Sequence, residues 1–359
     1  MTKSLVHIGT YTQRLSHVHG AGEGIHSVEL DHRTGALREC AAVVHSENVS
    51  YACQSRDGRS LYAIAEICDY GGKRDGCLGV FATTPELSRI QVCSSSGEGP
   101  SYISLDQSGQ WLFCVNYVAG NIVVLPVMAN GLLGPANQTI QLAGKGPNRS
   151  RQDGPHPHAI VPSLDNRFVY VADLGTDQII TYPFKSETGK LGDKPFILKT
   201  GPGTGPRHMI FHPSGEIAYF VSELTSELSV CQVNLTSGEI EIVQTLSTVP
   251  ADFRSRNHCS ELCITSNGQH IYVANRGHDS VAVFEVNRNG TVALLSHADC
   301  GGQIPRHIAL SPNEQFLLVA NQESDQVVSL RRDPLTGQLY RTGHSIDIPT
   351  PAFVEFRRS

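Results

Sequence analysis

Along the chain, short apolar runs alternate with polar turns in a unit of about fifty residues that returns about seven times. It is clearest in "PSYISLDQSGQWLFCVNYVAGNIVVLPV", "HPHAIVPSLDNRFVYVADLGTDQIITYPF", "PRHMIFHPSGEIAYFVSELTSELSVCQV" and "PRHIALSPNEQFLLVANQESDQVVSLRR", which begin near Pro100, His156, Pro206 and Pro305. Each unit opens on an apolar run such as Ala159-Ile160-Val161, followed by a turn of Gly, Asn, Asp, Ser or Pro. Those residues accept positive φ or close a turn with their own side chains. A near-continuous β-branched and aromatic run comes next, for example Phe168-Val169-Tyr170-Val171-Ala172. Then comes an alternating run such as Val281-Ala282-Val283-Phe284-Glu285-Val286, and a weaker strand after Thr-Gly, Ser-Gly or Asn-Gly. The pattern predicts four strands per unit and almost no helix. Continuous burial of the middle strands fits sheets covered on both faces by their neighbours.

Four-stranded antiparallel sheets repeated around an axis make an all-β, seven-bladed β-propeller. The first unit, Leu5 to Ala42, lacks an innermost strand, while "PTPAFVEFRRS" at the C-terminus offers a spare one at Pro351–Phe356. The C-terminal strand is therefore expected to complete the first blade and close the ring, making residues 1–359 one propeller domain.

Composition narrows the function classes. With 40% hydrophobic and 17% charged residues the chain reads as globular, and no apolar run approaches a membrane span. A net charge of −6 argues against non-specific nucleic-acid binding. The ten cysteines are scattered without zinc spacing, and Cys68 and Cys77, which flank a Gly-rich loop, are the one pair with an opportunity to bridge. Without a signal-peptide core after Met1, a reduced cytoplasmic setting is expected.

Chemistry is expected where the repeat breaks. The start of each inner strand and the loop after each second strand converge on one mouth of the ring. His158 and Arg207 occupy matching starts, in "GPHPHAI" and "GPRHMI"; Glu223 and Arg276 occupy matching ends, in "YFVSEL" and "YVANR". One imidazole, one carboxylate and two guanidiniums suit acid–base chemistry on an anionic substrate. The basic loop "GKGPNRSRQ" before His156 offers Arg149 to an anion from above. His156 and His208 stand beside these residues as further expected substrate contacts. Arg306 and His307 repeat the Arg-His pair, so part of that pattern has a structural reading. His17, His19, His156 and His158 fall in i,i+2 pairs, but no carboxylate set completes a metal site.

These segments, above all "GPNRSRQDGPHPHAIVPS", "GTGPRHMIFHPSGEIAYFVSEL" and "IYVANRGHDSVAVFEV", resemble the β-propeller lactonase family over nearly the whole chain. The His-rich insert Ser16–Gly22 is less typical of it. The resemblance implies a cofactor- and metal-independent enzyme acting on a small anionic lactone, with 6-phospho-D-glucono-1,5-lactone the leading substrate. It places the active site on His158, Arg207, Glu223 and Arg276. Glu223 or His158 would activate water and the other protonate the leaving ring oxygen, with both arginines holding substrate and oxyanion. A muconate-type lactonizing cycloisomerase is the alternative chemistry the family offers. A binding scaffold is the alternative outside enzymes, although the Trp-Asp repeat ending is absent and the only Trp is Trp111.

Overall fold

The computed structural model describes residues 2–358. It contains seven blades, each a run of four antiparallel strands in sequence order from the axis outward, except the first. In the first blade the innermost strand is Pro351–Phe356, paired antiparallel with Lys3–Thr10 so that Ile8 faces Val354. The expected closure by the C-terminal strand is therefore what the structure has. The remaining inner strands are Ala52–Gln54, Pro100–Leu105, Pro157–Pro162, Pro206–Phe211, His258–Ile264 and Pro305–Leu310.

The strand patterns follow the environments predicted from sequence. The second strand Phe168–Asp173 is buried along its entire length, because both faces meet neighbouring blades. The outer strand Ile240–Ser247 alternates between half-buried and exposed positions, because one face meets water. Each adjoining pair of blades shares an apolar cluster. Val6, Ile8 and Val354 pack on Phe316 and Leu318 of the seventh blade. Phe353 and Ile25 of the first blade pack on Leu61 and Phe81 of the second. The first blade is thus buried on both sides, which leaves no open seam.

Two departures from the repeat matter for the mouth. A small hairpin, Arg14–Leu15 with Val18–His19, is inserted within the first blade. Its Val18 packs with Tyr11 and Ala352. The chain 144–152 is not a loose loop: the buried Gln152 donates to the Leu174 carbonyl at 2.9 Å and to Asp177 at 2.7 Å, and accepts from the Asn148 N–H at 3.0 Å. All ten cysteines are free, with Cys68 exposed and Cys77 buried, so the pairing considered for them is not made. Among the described residues no helix is long and apolar enough to cross a membrane.

Closure by Pro351–Phe356 has a direct consequence. Truncation after Thr350 should abolish the cooperative thermal transition. Ile8→Ala, at a fully buried seam position, should cost about 2–5 kcal/mol in urea denaturation.

Candidate active site

A blind cavity of about 1130 Å³ opens at one end of the ring axis and is lined by residues from all seven blades. A device that re-aims side chains at and beneath the cavity recurs. Where each of five inner strands begins, the pairing with the second strand slips. Ser101, His158 and Arg306 are single extra residues, and Arg207-His208 and Ser260-Glu261 are extra pairs set against one residue opposite. A bulge of this kind bends the strand and re-aims a side chain. Below the cavity the axis is filled by aromatic rings: Tyr51 stacks on Tyr102 at 4.1 Å and contacts Phe353 at 5.0 Å.

Glu223 is the hub of one side. It follows the strand Ile217–Ser222, and its N–H donates to the Gly205 carbonyl at 2.7 Å. Gly205 has φ +63°, and a Cβ there would lie 2.7 Å from Leu224, so the turn requires glycine. The Glu223 carboxylate accepts three arginines: Arg151 at 2.6 Å, Arg207 at 3.0 Å and Arg276 at 2.9 Å. Burial resists its charge, but the guanidiniums of Arg276, Arg151 and Arg207 overcome that and hold the carboxyl well below the usual range. Burial, with the neighbouring Arg276 charge, pushes Arg207 down to about 10. Arg207 is fixed further by donating to the Ser260 carbonyl, and Arg276 by donating to the Cys259 carbonyl at 3.0 Å.

His158 lies beside this cluster and is only 9% exposed. Its ring stands edge-on to Tyr117 at 5.5 Å and to His208 at 5.1 Å. Burial, then the charge of Arg207, drives its pKa well below that of an ordinary histidine, so it is a neutral imidazole near pH 7. Its Nδ1 has no hydrogen-bond partner among the described residues. A neutral imidazole beside fixed guanidiniums can take a proton from water while the cations stabilise developing negative charge.

The residues expected from sequence separate here. His158, Arg207, Glu223 and Arg276 all line one cavity. Glu223, however, is saturated with cations and is a poor base, so its part is to hold the arginines. His208 borders the cavity, but its Nδ1 is 3.0 Å from the buried Glu261, which also takes His307 at 3.0 Å. His156 stacks on Tyr117 and is held by the Tyr117 carbonyl at 2.8 Å and Asp153 at 3.0 Å, so it serves to build the wall. Arg149 is exposed and outside the lining; Arg151, two residues on, is the arginine of that loop that reaches the cavity, where it pairs with Glu223. The structural signal for Arg151 is its neighbour Gln152, whose buried amide pins the loop. His17 is drawn to Glu66 at 3.4 Å, away from His156, so the four histidines do not assemble.

Known proteins match the chain in family and fold. The family model described as "Lactonase, 7-bladed beta-propeller" matches residues 5–356. This chain belongs to the seven-bladed β-propeller lactonases. Among its relatives in that family, a Bacillus subtilis protein named 6-phosphogluconolactonase is 34% identical, with 99% of each chain covered. A 6-phosphogluconolactonase of Formosa agariphila is 28% identical over 93% of this chain and 94% of its own. The solved structure of a periplasmic gluconolactonase from Pseudomonas aeruginosa superposes with a TM-score of 0.89 at 30% identity, covering 99% of both chains.

In this lactonase, Glu223 has a pKa lowered by folding. Its ionisation therefore adds stability above the ordinary Glu range, and that stability is lost as pH falls through the lower folded value. Glu223→Gln should cost about 3–5 kcal/mol near pH 7, by leaving buried guanidiniums uncompensated. The gap to the parent should narrow steadily below about pH 4. Urea denaturation at neutral and acid pH measures both.

Proposed function

We propose that this lactonase hydrolyses 6-phospho-D-glucono-1,5-lactone to 6-phosphogluconate, with His158 as general base and Arg207 and Arg276 as the oxyanion's cationic partners. The observation that carries the reading is the neutral, buried His158 beside guanidiniums held by Glu223. Charge supports a phosphorylated substrate. Among the described residues, the buried and half-buried charges of the lining are four guanidiniums, Arg151, Arg207, Arg276 and Arg306, and two carboxylates, Glu66 and Glu223. That leaves a surplus of two positive charges, matched to a phosphate monoester of about −2. Arg256, Glu47, Asp69 and Asp153 also line the cavity, but on its exposed rim, where water screens them.

Water attacks the lactone carbonyl carbon as His158 takes its proton. The carbonyl oxygen becomes an oxyanion facing Arg207 and Arg276. Collapse breaks the bond from carbonyl carbon to ring oxygen, and the imidazolium returns the proton to that oxygen as it leaves as a hydroxyl. The acid formed loses its own proton to solvent. The names of the relatives favour this hydrolysis over a cycloisomerase or a scaffold. A cytoplasmic setting belongs to the same proposal, supported by ten free thiols that suit a reducing compartment.

The test is a spectrophotometric assay with fresh lactone, corrected for spontaneous opening. His158→Ala should lower kcat by about 100-fold or more, with Arg207→Ala lowering kcat/KM by a similar factor. Variants as fast as the parent would refute the assignment. With unphosphorylated glucono-1,5-lactone, which has no ionisation of its own in range, the acid limb of kcat/KM should fall below the ordinary histidine value of about 6.5. A limb at or above that value would contradict a buried neutral base.

A further inference from the structure

The Pro-Arg-His segment occurs twice at the start of an inner strand, each time at a bulge, as Pro206-Arg207-His208 and Pro305-Arg306-His307. The two histidines do the same thing: both meet the Glu261 carboxylate beneath the cavity at 3.0 Å. The two arginines do not. Arg207 is spent on Glu223 and the Ser260 carbonyl. The Arg306 guanidinium makes no hydrogen bond to any described residue, although the side chain is only 11% exposed. Its guanidinium lies 4.9 Å over the Tyr11 ring, and its nearest carboxylate oxygen, on Glu66, is 3.7 Å away, beyond hydrogen-bond range. That oxygen is already occupied by the Tyr11 hydroxyl at 2.7 Å and the Ser50 hydroxyl at 2.6 Å. A buried guanidinium with its fork unspent, in a cavity wall, is built to receive an anion.

Position decides which part of a substrate it receives. The candidate base His158 and the Glu223 cluster belong to blades four to six, so the lactone carbonyl belongs there. Arg306 stands on the next blade round, blade seven, with Tyr11 of blade one and Glu66 of blade two beside it. The inserted hairpin of the first blade brings His17 to the same corner, 3.4 Å from Glu66. Arg306 lines the same cavity as Arg207, Arg276 and His158, so one extended molecule reaches both corners.

We propose that Arg306, flanked by His17, is the phosphate subsite of this lactonase, and that it sets the preference for a phosphorylated over an unphosphorylated lactone. This rests on the lactonase reading above. Loss of a charge-assisted contact made by one end of the substrate changes the ratio of kcat/KM between substrates that have that end and those that lack it.

The experiment measures kcat/KM for 6-phosphoglucono-1,5-lactone and for glucono-1,5-lactone in the parent, Arg306→Ala, Arg306→Lys and Arg151→Ala. Alongside it, calorimetry measures the binding of 6-phosphogluconate and gluconate. Arg306→Ala should lower the ratio of phosphorylated to unphosphorylated kcat/KM by about tenfold or more, and Arg306→Lys should recover part of it. 6-Phosphogluconate should bind the parent more tightly than gluconate, and the difference should shrink in Arg306→Ala. A ratio unchanged in Arg306→Ala overturns the proposal, whether both activities fall together or neither falls. A ratio that collapses in Arg151→Ala and not in Arg306→Ala also overturns it, by moving the phosphate to the other rim. If the parent opens neither lactone, the lactonase reading fails; the calorimetric difference, present or absent, still decides the subsite.

Discussion

Everything at the mouth of this propeller depends on one buried carboxylate holding three guanidiniums. Arg151, Arg207 and Arg276 come from a loop, an inner strand and a second strand, and without Glu223 their like charges would repel in a poorly hydrated corner. The carboxylate gathers them and stays ionised because of them. Burial first, and then the charge of Arg207, keeps His158 neutral. A cationic corner and an uncharged imidazole thus stand side by side, sharing Arg207.

The ring supplies the rigid frame that makes such an arrangement tolerable. Blades packed on both faces do not relax easily, so charges fixed at their inner edges stay fixed. The bulges at the inner strands are the means by which a uniform repeat yields dissimilar side chains at one point in space. In the Pro-Arg-His repeats, one residue of each copy braces the axis through Glu261 while the other faces the cavity. A single motif thus braces the axis at one position and lines the cavity at the one before it.

The strand pattern was legible because burial on both faces leaves runs such as Phe168–Asp173 without alternation, and because turns need particular residues. Ring closure was legible from an inner strand missing at one end and spare at the other. His158, Arg207, Glu223 and Arg276 were legible as charged breaks in a repeat. Arg151 was not, because its loop has no repeat register, and what orders it is the buried amide of Gln152. Glu66 and Tyr11 meet across 55 residues of sequence through a hydroxyl–carboxylate bond that no local pattern announces. Nor did the chain indicate that Glu223 would be saturated by cations, since that depends on how many arginines arrive.

The most direct measurement is the fate of oxygen when the parent protein opens 6-phosphoglucono-1,5-lactone in ¹⁸O-enriched water, with products read by mass spectrometry and ¹³C NMR. Water attack at a carbonyl flanked by Arg207 and Arg276 predicts rapid conversion, well above the uncatalysed rate, with one label in the new carboxylate and none on the released hydroxyl. No acceleration over buffer, or label on that hydroxyl, would contradict it.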